Sequence, residues 1–182
     1  MSLSDEEILA RFKEKDSQNY AFNLLVRKYQ QKLYWVIRRL VIDHDDTNDL
    51  IQNVWVKVWQ NLDSFKAESQ LYTWLYRICA NEALTFLNKK KKRFLLKLDD
   101  VEGELSQKVE NDPGMTGDEM VIKLQKAIIS LPEKQRLVFQ MRYYDEMPYE
   151  QMSQVLKTSV GALKASYHHA AKKIEVYLTG GD

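Results

Sequence analysis

Small side chains and cations share one side of residues 159–173 at helical spacing. The other side carries Val160, Leu163, Tyr167 and Ile174 in steps of three and four, which predicts a helix with one buried face. Small residues let a helix start approach base edges in a DNA major groove, and cations further along can meet phosphates. With residues 149–156 in front of it, this segment predicts a helix-turn-helix. An amphipathic hairpin with a solvated basic face is the alternative. The side facing away from the apolar stripe contains Gly161, Ala162, Lys164, Ala165, Ser166, His168, His169 and Lys172.

A second segment, residues 65–93, places aromatic and amide side chains ahead of five consecutive cations. Aromatic rings hold unstacked bases and cations follow a phosphate backbone, so this order is typical of single-strand binding. Asn81 and Asn88 are candidates for contacts with base edges. Under the alternative interpretation, Trp74 and Phe86 belong to the core, and the cations form a solvated helix end that the helix dipole favours.

A third segment, residues 49–62, has a wide apolar face and a polar face. Leu50, Val54 and Val58 lie on the apolar side, as in an ordinary core helix. The polar side presents a carboxylate and two amides at positions i, i+3 and i+4, which can clamp a partner helix by hydrogen bonds. These three residues are Asp49, Gln52 and Asn53.

The chain lacks the patterns of enzymes. It has neither a glycine-rich phosphate loop nor a Gly-x-Ser-x-Gly motif. His168 and His169 are adjacent, so on a helix they point about 100° apart and chelate a metal poorly. The acids around His44 fit a solvated helix start better than a cation site. We expect no catalytic residue, no metal and no cofactor.

Composition predicts an all-α fold. The 182 residues include only 6 glycines and 3 prolines. The single cysteine, Cys79, excludes an internal disulfide and fits a small core residue. No run of eighteen apolar residues and no signal-peptide pattern occurs, so we expect a cytoplasmic protein without membrane insertion.

Charged residues are distributed unevenly along the chain, which separates it into three segments of different net charge. Residues 1–98 carry 17 Lys and Arg against 12 Asp and Glu, a net +5. Residues 99–119 carry 1 against 8, a net −7, and residues 120–182 carry 9 against 6, a net +3. The acidic stretch is also rich in turn formers, which predicts a linker. The fold class is therefore two small helical domains, residues 1–93 and 118–182, joined by an acidic flexible linker at 94–117.

Helix signals place the elements within these domains. Ser4 and Glu7 have capping-box spacing, and residues 43–48 form a break with an N-cap. Pro132 and Pro148 stand where helices begin. Before the linker the patterns predict four or five helices. The first opens at Ser4, residues 21–29 form an amphipathic helix, residues 33–40 form another apolar face, and two further helices span about 47–62 and 70–92. After the linker, helices are predicted near residues 118–130, 133–143, 149–156 and 159–178.

The order of four motifs resembles the extracytoplasmic-function (ECF) sigma factors, the smallest sigma-70-type initiation factors of bacteria, over nearly the full chain. Each motif alone is weak, but four in order with a linker between the second and third are specific. The motifs are Asp49-Leu-Ile-Gln-Asn-Val-Trp, then Ser64-Phe with Tyr72-Thr-Trp-Leu-Tyr-Arg-Ile-Cys-Ala-Asn81, then Leu131-Pro-Glu-Lys-Gln-Arg-Leu-Val-Phe-Gln-Met-Arg142, and finally residues 149–173.

The resemblance implies partners and roles. Core RNA polymerase would be gripped by Asp49, Gln52 and Asn53, and promoter DNA would be bound at two elements. An anti-sigma factor is a further candidate partner. The −10 element would meet Ser64, Phe65, Lys66, Tyr72, Trp74, Tyr76, Arg77, Asn81, Asn88, Lys89, Lys90, Lys91, Lys92 and Arg93. The −35 element would meet Arg142, Ser159, Val160, Gly161, Ala162, Lys164, Ala165, Ser166, His168, His169 and Lys172.

The chain also departs from the family pattern. The family usually has an acid where this chain has Asn53, and a glycine where it has Lys157. It commonly has arginines at the positions of Ser166, His169 and Ala171. Fewer fixed cations predict weaker and less salt-dependent binding at −35.

Two other functions use the same residues. A conventional helix-turn-helix regulator would bind duplex DNA without polymerase. A helical adaptor that never touches DNA would tolerate substitution of Lys164, His168 and the cations at 89–93.

Overall fold

The computed structural model describes residues 3–94, 107, 111 and 119–180, and in these ranges every regular element is a helix. The first domain contains α1 (Asp5–Phe12), α2 (Gln18–Val41), α3 (His44–Asn61) and α4 (Leu71–Phe94). A short 3-10 turn, Leu62–Ser64, follows α3. The all-α prediction is confirmed. The predicted acidic linker at 94–117 lies almost wholly outside the described residues.

The helix starts follow the signals in the sequence. Ser4 caps α1 through a reciprocal capping box with Glu7. Asp43 caps α3 by accepting a hydrogen bond from the Asp46 backbone N–H at 2.9 Å. The helix α3 therefore begins at His44, three residues before the predicted start near 47. The acids around His44 thus form a helix start.

The second domain consists of α5 (Glu119–Ile129), α6 (Glu133–Tyr143), α7 (Tyr149–Leu156) and α8 (Val160–Thr179). Pro132 and Pro148 are the N-cap residues of α6 and α7, as predicted. Ser159 caps α8, its hydroxyl oxygen accepting from the Ala162 backbone N–H at 3.3 Å. The helices α7 and α8 form the predicted helix-turn-helix, with Lys157 in the turn at φ 53°.

Two apolar clusters hold the helices together. The smaller cluster lies inside the second domain, where Ile128 of α5, Phe139 of α6 and Ile174 of α8 meet. The larger cluster fills the first domain around Leu25 and Val54. Cys79 is fully buried in it, which confirms its place in the core.

The larger cluster also extends into the second domain, which the sequence patterns did not predict. Side chains of α6 and α7 and the turns beside them join it, and α7 packs along α4. These side chains are Leu137, Val138, Met141, Met147, Met152 and Val155. The helix α6 is therefore apolar on two sides: Phe139 faces its own domain, while Leu137 and Met141 belong to the shared cluster.

Within the described part of the chain, no helix is both long enough and apolar enough to cross a membrane.

Candidate nucleic-acid and partner interfaces

The polar face of α3 is open to solvent. Asp49, Gln52 and Asn53 are all exposed on one side, while Leu50 and Val54 are buried on the other. Val56, one turn beyond Gln52, is 55% exposed and extends the same side with an apolar group. The surface combines hydrogen-bonding groups with a small apolar contact, which suits a partner helix.

A cavity of about 410 Å³ opens beside the loop between α3 and α4. Phe65 and Trp74 form its aromatic wall, with ring centroids 5.3 Å apart. Lys66 and Arg77 supply positive charge at the same cavity. The cavity thus brings together rings for stacking a base and cations for its phosphate. Its lining residues are Ser64, Phe65, Lys66, Glu68, Ser69, Thr73, Trp74, Arg77, Gln154 and Lys157.

Thr73 is a cavity residue that the sequence motifs did not single out. Thr73 is 2% exposed, and its hydroxyl oxygen has no hydrogen-bond partner among the described residues. A buried hydroxyl without a hydrogen-bond partner lowers the stability of the folded protein, so such a group requires an explanation. The sequence shows that Thr73 and Arg77 are one helical turn apart, but the burial of Thr73 depends on the fold.

The polar side of α4 continues from this cavity to the cations at the helix end. Arg77 is half-buried, whereas Asn81, Asn88 and Lys92 are exposed at spacings of four and seven residues. The stripe from Arg77 to Lys92 is about 22 Å long at 1.5 Å per residue.

The remaining cations at the end of α4 differ in their surroundings. Lys89 is exposed, and Lys90 lies 3.7 Å from Asp46. The side chains of Lys91 and Arg93 lie outside the described part of the structure.

Two predicted stacking residues of α4 lie inward. Tyr72 is half-buried and stacks on Tyr29 at 5.8 Å between ring centroids, and burial raises the pKa of its hydroxyl. Tyr76 is 1% exposed and donates a hydrogen bond to Asp145 Oδ2 at 2.8 Å. Burial, followed by the charge of Asp145, raises the pKa of Tyr76 well above its usual value. In this structure Tyr76 therefore offers no exposed ring for stacking.

The second helix of the helix-turn-helix, α8, has the predicted buried face and exposed face. Leu163, Ala170 and Ile174 are buried beneath it. Val160 and Ser166 are half-buried at the boundary, and Ser159 is exposed. The outward side is exposed at Gly161, Ala162, Lys164, Ala165, His168, His169 and Lys172. In the described ranges, no atom outside the local helix lies within 4 Å of a side-chain carbon placed at Gly161, so the helix start is open to close approach.

Positive groups flank this outward side. Arg142 stacks over the Tyr149 ring at 5.2 Å and donates to the Met147 backbone oxygen at 3.3 Å. Lys164 lies 5.7 Å from the same ring centroid. At the far end a cavity of about 520 Å³ is lined by Gln135, His169, Lys172, Lys173 and Val176. The arrangement suits a duplex, with phosphate contacts on both sides of a helix that presents small residues.

Comparisons with known proteins agree with this geometry. The family model of sigma-70 region 2 matches residues 25–93, and that of sigma-70 region 4 matches residues 122–174. The ECF RNA polymerase sigma-E factor of Escherichia coli strain K12 is 30% identical over 181 residues, covering 95% of this chain and 93% of the relative. The RNA polymerase sigma-H factor of Pseudomonas aeruginosa is also 30% identical, covering 94% of this chain and 92% of the relative.

Two solved structures share the fold. CnrH, in complex with the cytosolic domain of CnrY, matches with a TM-score of 0.69 and 21% identity over 98% of this chain and 99% of its own. The sigma factor RpoE, in complex with the anti-sigma factor NepR from Bartonella quintana, matches with a TM-score of 0.67 and 21% identity over 87% of this chain and 96% of its own. The two matched regions and the relatives at 30% identity show that this chain belongs to the ECF sigma factors, which direct RNA polymerase to promoters.

Proposed function

We propose that this chain is a dissociable initiation subunit that touches polymerase and promoter DNA through three separate surfaces. Asp49, Gln52 and Asn53 on α3 dock on core RNA polymerase. The cavity beside Ser64, together with the polar stripe of α4, captures the non-template strand of the −10 element. The outward side of α8 reads the major groove of the −35 element.

The observation that carries this proposal is the separation of two DNA-compatible surfaces. The α4 stripe begins at an aromatic cavity and ends in cations, which suits a single strand passing into a duplex. The outward side of α8 begins with small exposed residues and carries cations further along, which suits a major groove. A conventional regulator needs only the second surface, so the α4 surface favours the initiation subunit.

An anti-sigma factor is proposed as a second protein partner. The RpoE structure contains the anti-sigma factor NepR, the CnrH structure contains the cytosolic domain of CnrY, and this chain shares the fold of both. The test is inhibition of transcription by a candidate partner chain, with activity restored when more of this protein is added. Because the proposed interfaces work in contact with polymerase and DNA, we also propose that the protein acts in the cytoplasm.

In vitro transcription with purified core enzyme tests the assigned surfaces. Asn81→Ala and Lys164→Ala should each lower promoter-directed transcription about tenfold, since each removes one contact with DNA worth about 1–3 kcal/mol. Both residues are exposed, so thermal stability should change little. The matched controls are Asn23→Ala on α2 and Lys134→Ala on α6, which are also exposed. Equal transcription by variants and controls would remove Asn81 and Lys164 from the interface.

Gln52→Ala tests the polymerase surface in a separate assay. It should weaken binding to core enzyme without DNA, whereas Gln30→Ala, exposed on α2, should leave binding unchanged. If Gln52→Ala binds core enzyme as the unmodified protein does, the proposed docking surface is wrong.

A further inference from the structure

We infer that the cavity at the junction of α6 and α8 binds a phosphate of duplex DNA, and that Gln135 and Lys173 hold this phosphate together with His169 and Lys172. We call it the α6–α8 cavity. Gln135 and Lys173 are absent from the residues predicted to meet the −35 element. The inference deepens the proposed function, because it rests on α8 lying in the major groove at −35 and names a further contact there.

The lining of the α6–α8 cavity is positive. Lys172 and Lys173 contribute two ammonium groups, and His169 contributes an imidazole ring. Within the part of the chain that the structure describes, no carboxylate lines the cavity. Hydrogen bonds from charged donors to phosphate oxygens are stronger than neutral ones. An anion that enters the cavity therefore meets positive charge from more than one side.

Gln135 positions one of these cations. It is half-buried on α6, and its side-chain oxygen accepts a hydrogen bond from Lys173 Nζ at 3.1 Å. The bond joins α6 to α8 and orients the ammonium group, so less side-chain freedom is lost when an anion binds. It uses the amide oxygen, so the N–H groups of the Gln135 amide remain donors. A cation and a neutral donor are thus presented together at one wall.

The shape of the α6–α8 cavity suits a DNA backbone better than a free phosphate ion. Its volume of about 520 Å³ exceeds that of a single phosphate group. Val176, which is 49% exposed, gives the same cavity an apolar wall. A DNA strand alternates charged phosphates with sugars that have apolar faces. The combination of cations with an apolar wall therefore fits a phosphate and the sugar next to it.

The position of the α6–α8 cavity matches one wall of a major groove. Lys164, at the start of α8, and Lys172 are eight residues apart, which is about 12 Å along the helix axis. The major groove of B-DNA is also about 12 Å wide. Lys164 and Arg142 both lie over the Tyr149 ring, so they form the cation group at the near end. A groove that receives α8 therefore has one phosphate strand near Lys164 and the other near the cavity.

The α6–α8 cavity also changes the salt dependence expected at the −35 element. Ser166 and Ala171 carry no charge at positions where the family commonly has arginines. Lys173, oriented by Gln135, supplies a further cation and offsets part of this loss. Each phosphate contact contributes about 0.9 to the slope of log K against log[salt], or about 3.5-fold in affinity between 50 and 200 mM salt. The contribution of Lys173 is therefore large enough to measure.

A salt series with duplex DNA of random sequence tests the phosphate site without any promoter. Fluorescence anisotropy measures binding of the full chain, and thermal unfolding shows whether each variant is folded. Lys173→Gln removes one cation from the cavity. Gln135→Glu keeps an acceptor for Lys173 and adds a negative charge. Lys134→Gln is the matched control, because Lys134 is exposed on the same helix as Gln135 and does not line the cavity.

We expect the slope to be smaller by about 0.9 for Lys173→Gln and by at least as much for Gln135→Glu. Lys134→Gln should keep the slope of the unmodified chain. An unchanged slope in folded Lys173→Gln protein would overturn the inference. So would an equal decrease in Lys134→Gln, which would indicate a general charge effect, or the absence of duplex binding by the unmodified chain at 50 mM salt.

Methylphosphonate substitution of the DNA tests where the phosphate lies. Single uncharged methylphosphonates are introduced along the −35 element of a promoter recovered by start-site mapping, and binding is measured with the chain on core enzyme. At one position the substitution should weaken binding severalfold for the unmodified chain and much less for Lys173→Gln. Equal losses for both chains at every position would assign the cavity to a free anion and overturn the inference. If no promoter is recovered, the proposed function fails, whereas the salt series still decides the phosphate site.

Discussion

Thr73 places a buried hydroxyl at the wall of the −10 cavity, and no group in the part of the chain that the structure describes forms a hydrogen bond with it. Such a group lowers stability, so its presence suggests a role in the bound state. In our account, the hydroxyl meets a base that enters the cavity. The Thr73 hydroxyl therefore gains a hydrogen-bond partner when DNA is bound.

Thr73→Val should therefore raise the free energy of unfolding by about 1 kcal/mol while it lowers promoter-directed transcription severalfold. Denaturant unfolding and in vitro transcription measure the two effects. Thr47→Val is the matched control: its hydroxyl is buried but donates to the Asp43 backbone oxygen at 2.5 Å. This control should destabilise the protein by about 1 kcal/mol. A loss of stability in Thr73→Val would contradict the account.

His169 stands where the family commonly has an arginine, and it lies exposed beside Lys172 on the outward side of α8. Arginine keeps its charge at every working pH, whereas histidine in general does not. His169→Arg should tighten binding to duplex DNA and steepen the slope of log K against log[salt] by about 0.9.

A salt series at pH 8 measures the His169→Arg slope. Thr179→Arg, exposed ten residues further along α8, is the control for added charge away from the proposed surface. An equal change of slope in both variants would indicate a general charge effect rather than a contact at His169.

At the scale of the elements, the turn of the helix-turn-helix carries a conformational cost. Lys157 adopts φ 53° and ψ 41°, a left-handed conformation that glycine accepts readily and a lysine does not. Lys157→Gly should stabilise the protein by about 1 kcal/mol, while Lys157→Ala should change stability by only a few tenths. Denaturant unfolding distinguishes the two variants. If alanine stabilises as much as glycine, the lysine charge rather than the backbone is the cause.

The elements themselves were readily predicted from the sequence. Capping residues, helix-start prolines and apolar spacing predicted the helices of the described ranges, with boundaries within a few residues. The outward side of α8 followed from the same periodicity. Local patterns of this kind suffice because a helix boundary depends on the residues next to it.

The contacts between domains could not be predicted in this way. Asp145 is one acid in a turn, and it accepts hydrogen bonds from Arg39 at 2.5 Å and from Tyr76 at 2.8 Å. Nothing near it in the sequence indicates these partners. Tyr76 was predicted to stack on DNA, but it lies buried against Asp145 because two distant segments meet there. The cavity residue Thr73 was missed for the same reason, since its burial depends on side chains brought together by the fold.

For the whole molecule, the distribution of charge agrees with a chain that binds DNA through two domains. Two blocks of net positive charge flank residues 99–119, whose net charge is −7. The negative charge of the connector is repelled by DNA phosphates, whereas the net positive charge of the two domains is attracted to them. Each domain alone offers few phosphate contacts, and joining two weak sites raises the overall affinity by about 10² to 10⁴.

The central claim is that one chain, bound to polymerase, holds a promoter at two places. The most direct measurement is in vitro transcription with purified core enzyme and a pool of genomic fragments, followed by mapping of the start sites. We expect start sites that depend on this chain and share two upstream sequence blocks at a constant spacing of about two helical turns. Start sites with a single shared block or none, or the same start sites without the chain, would contradict the account.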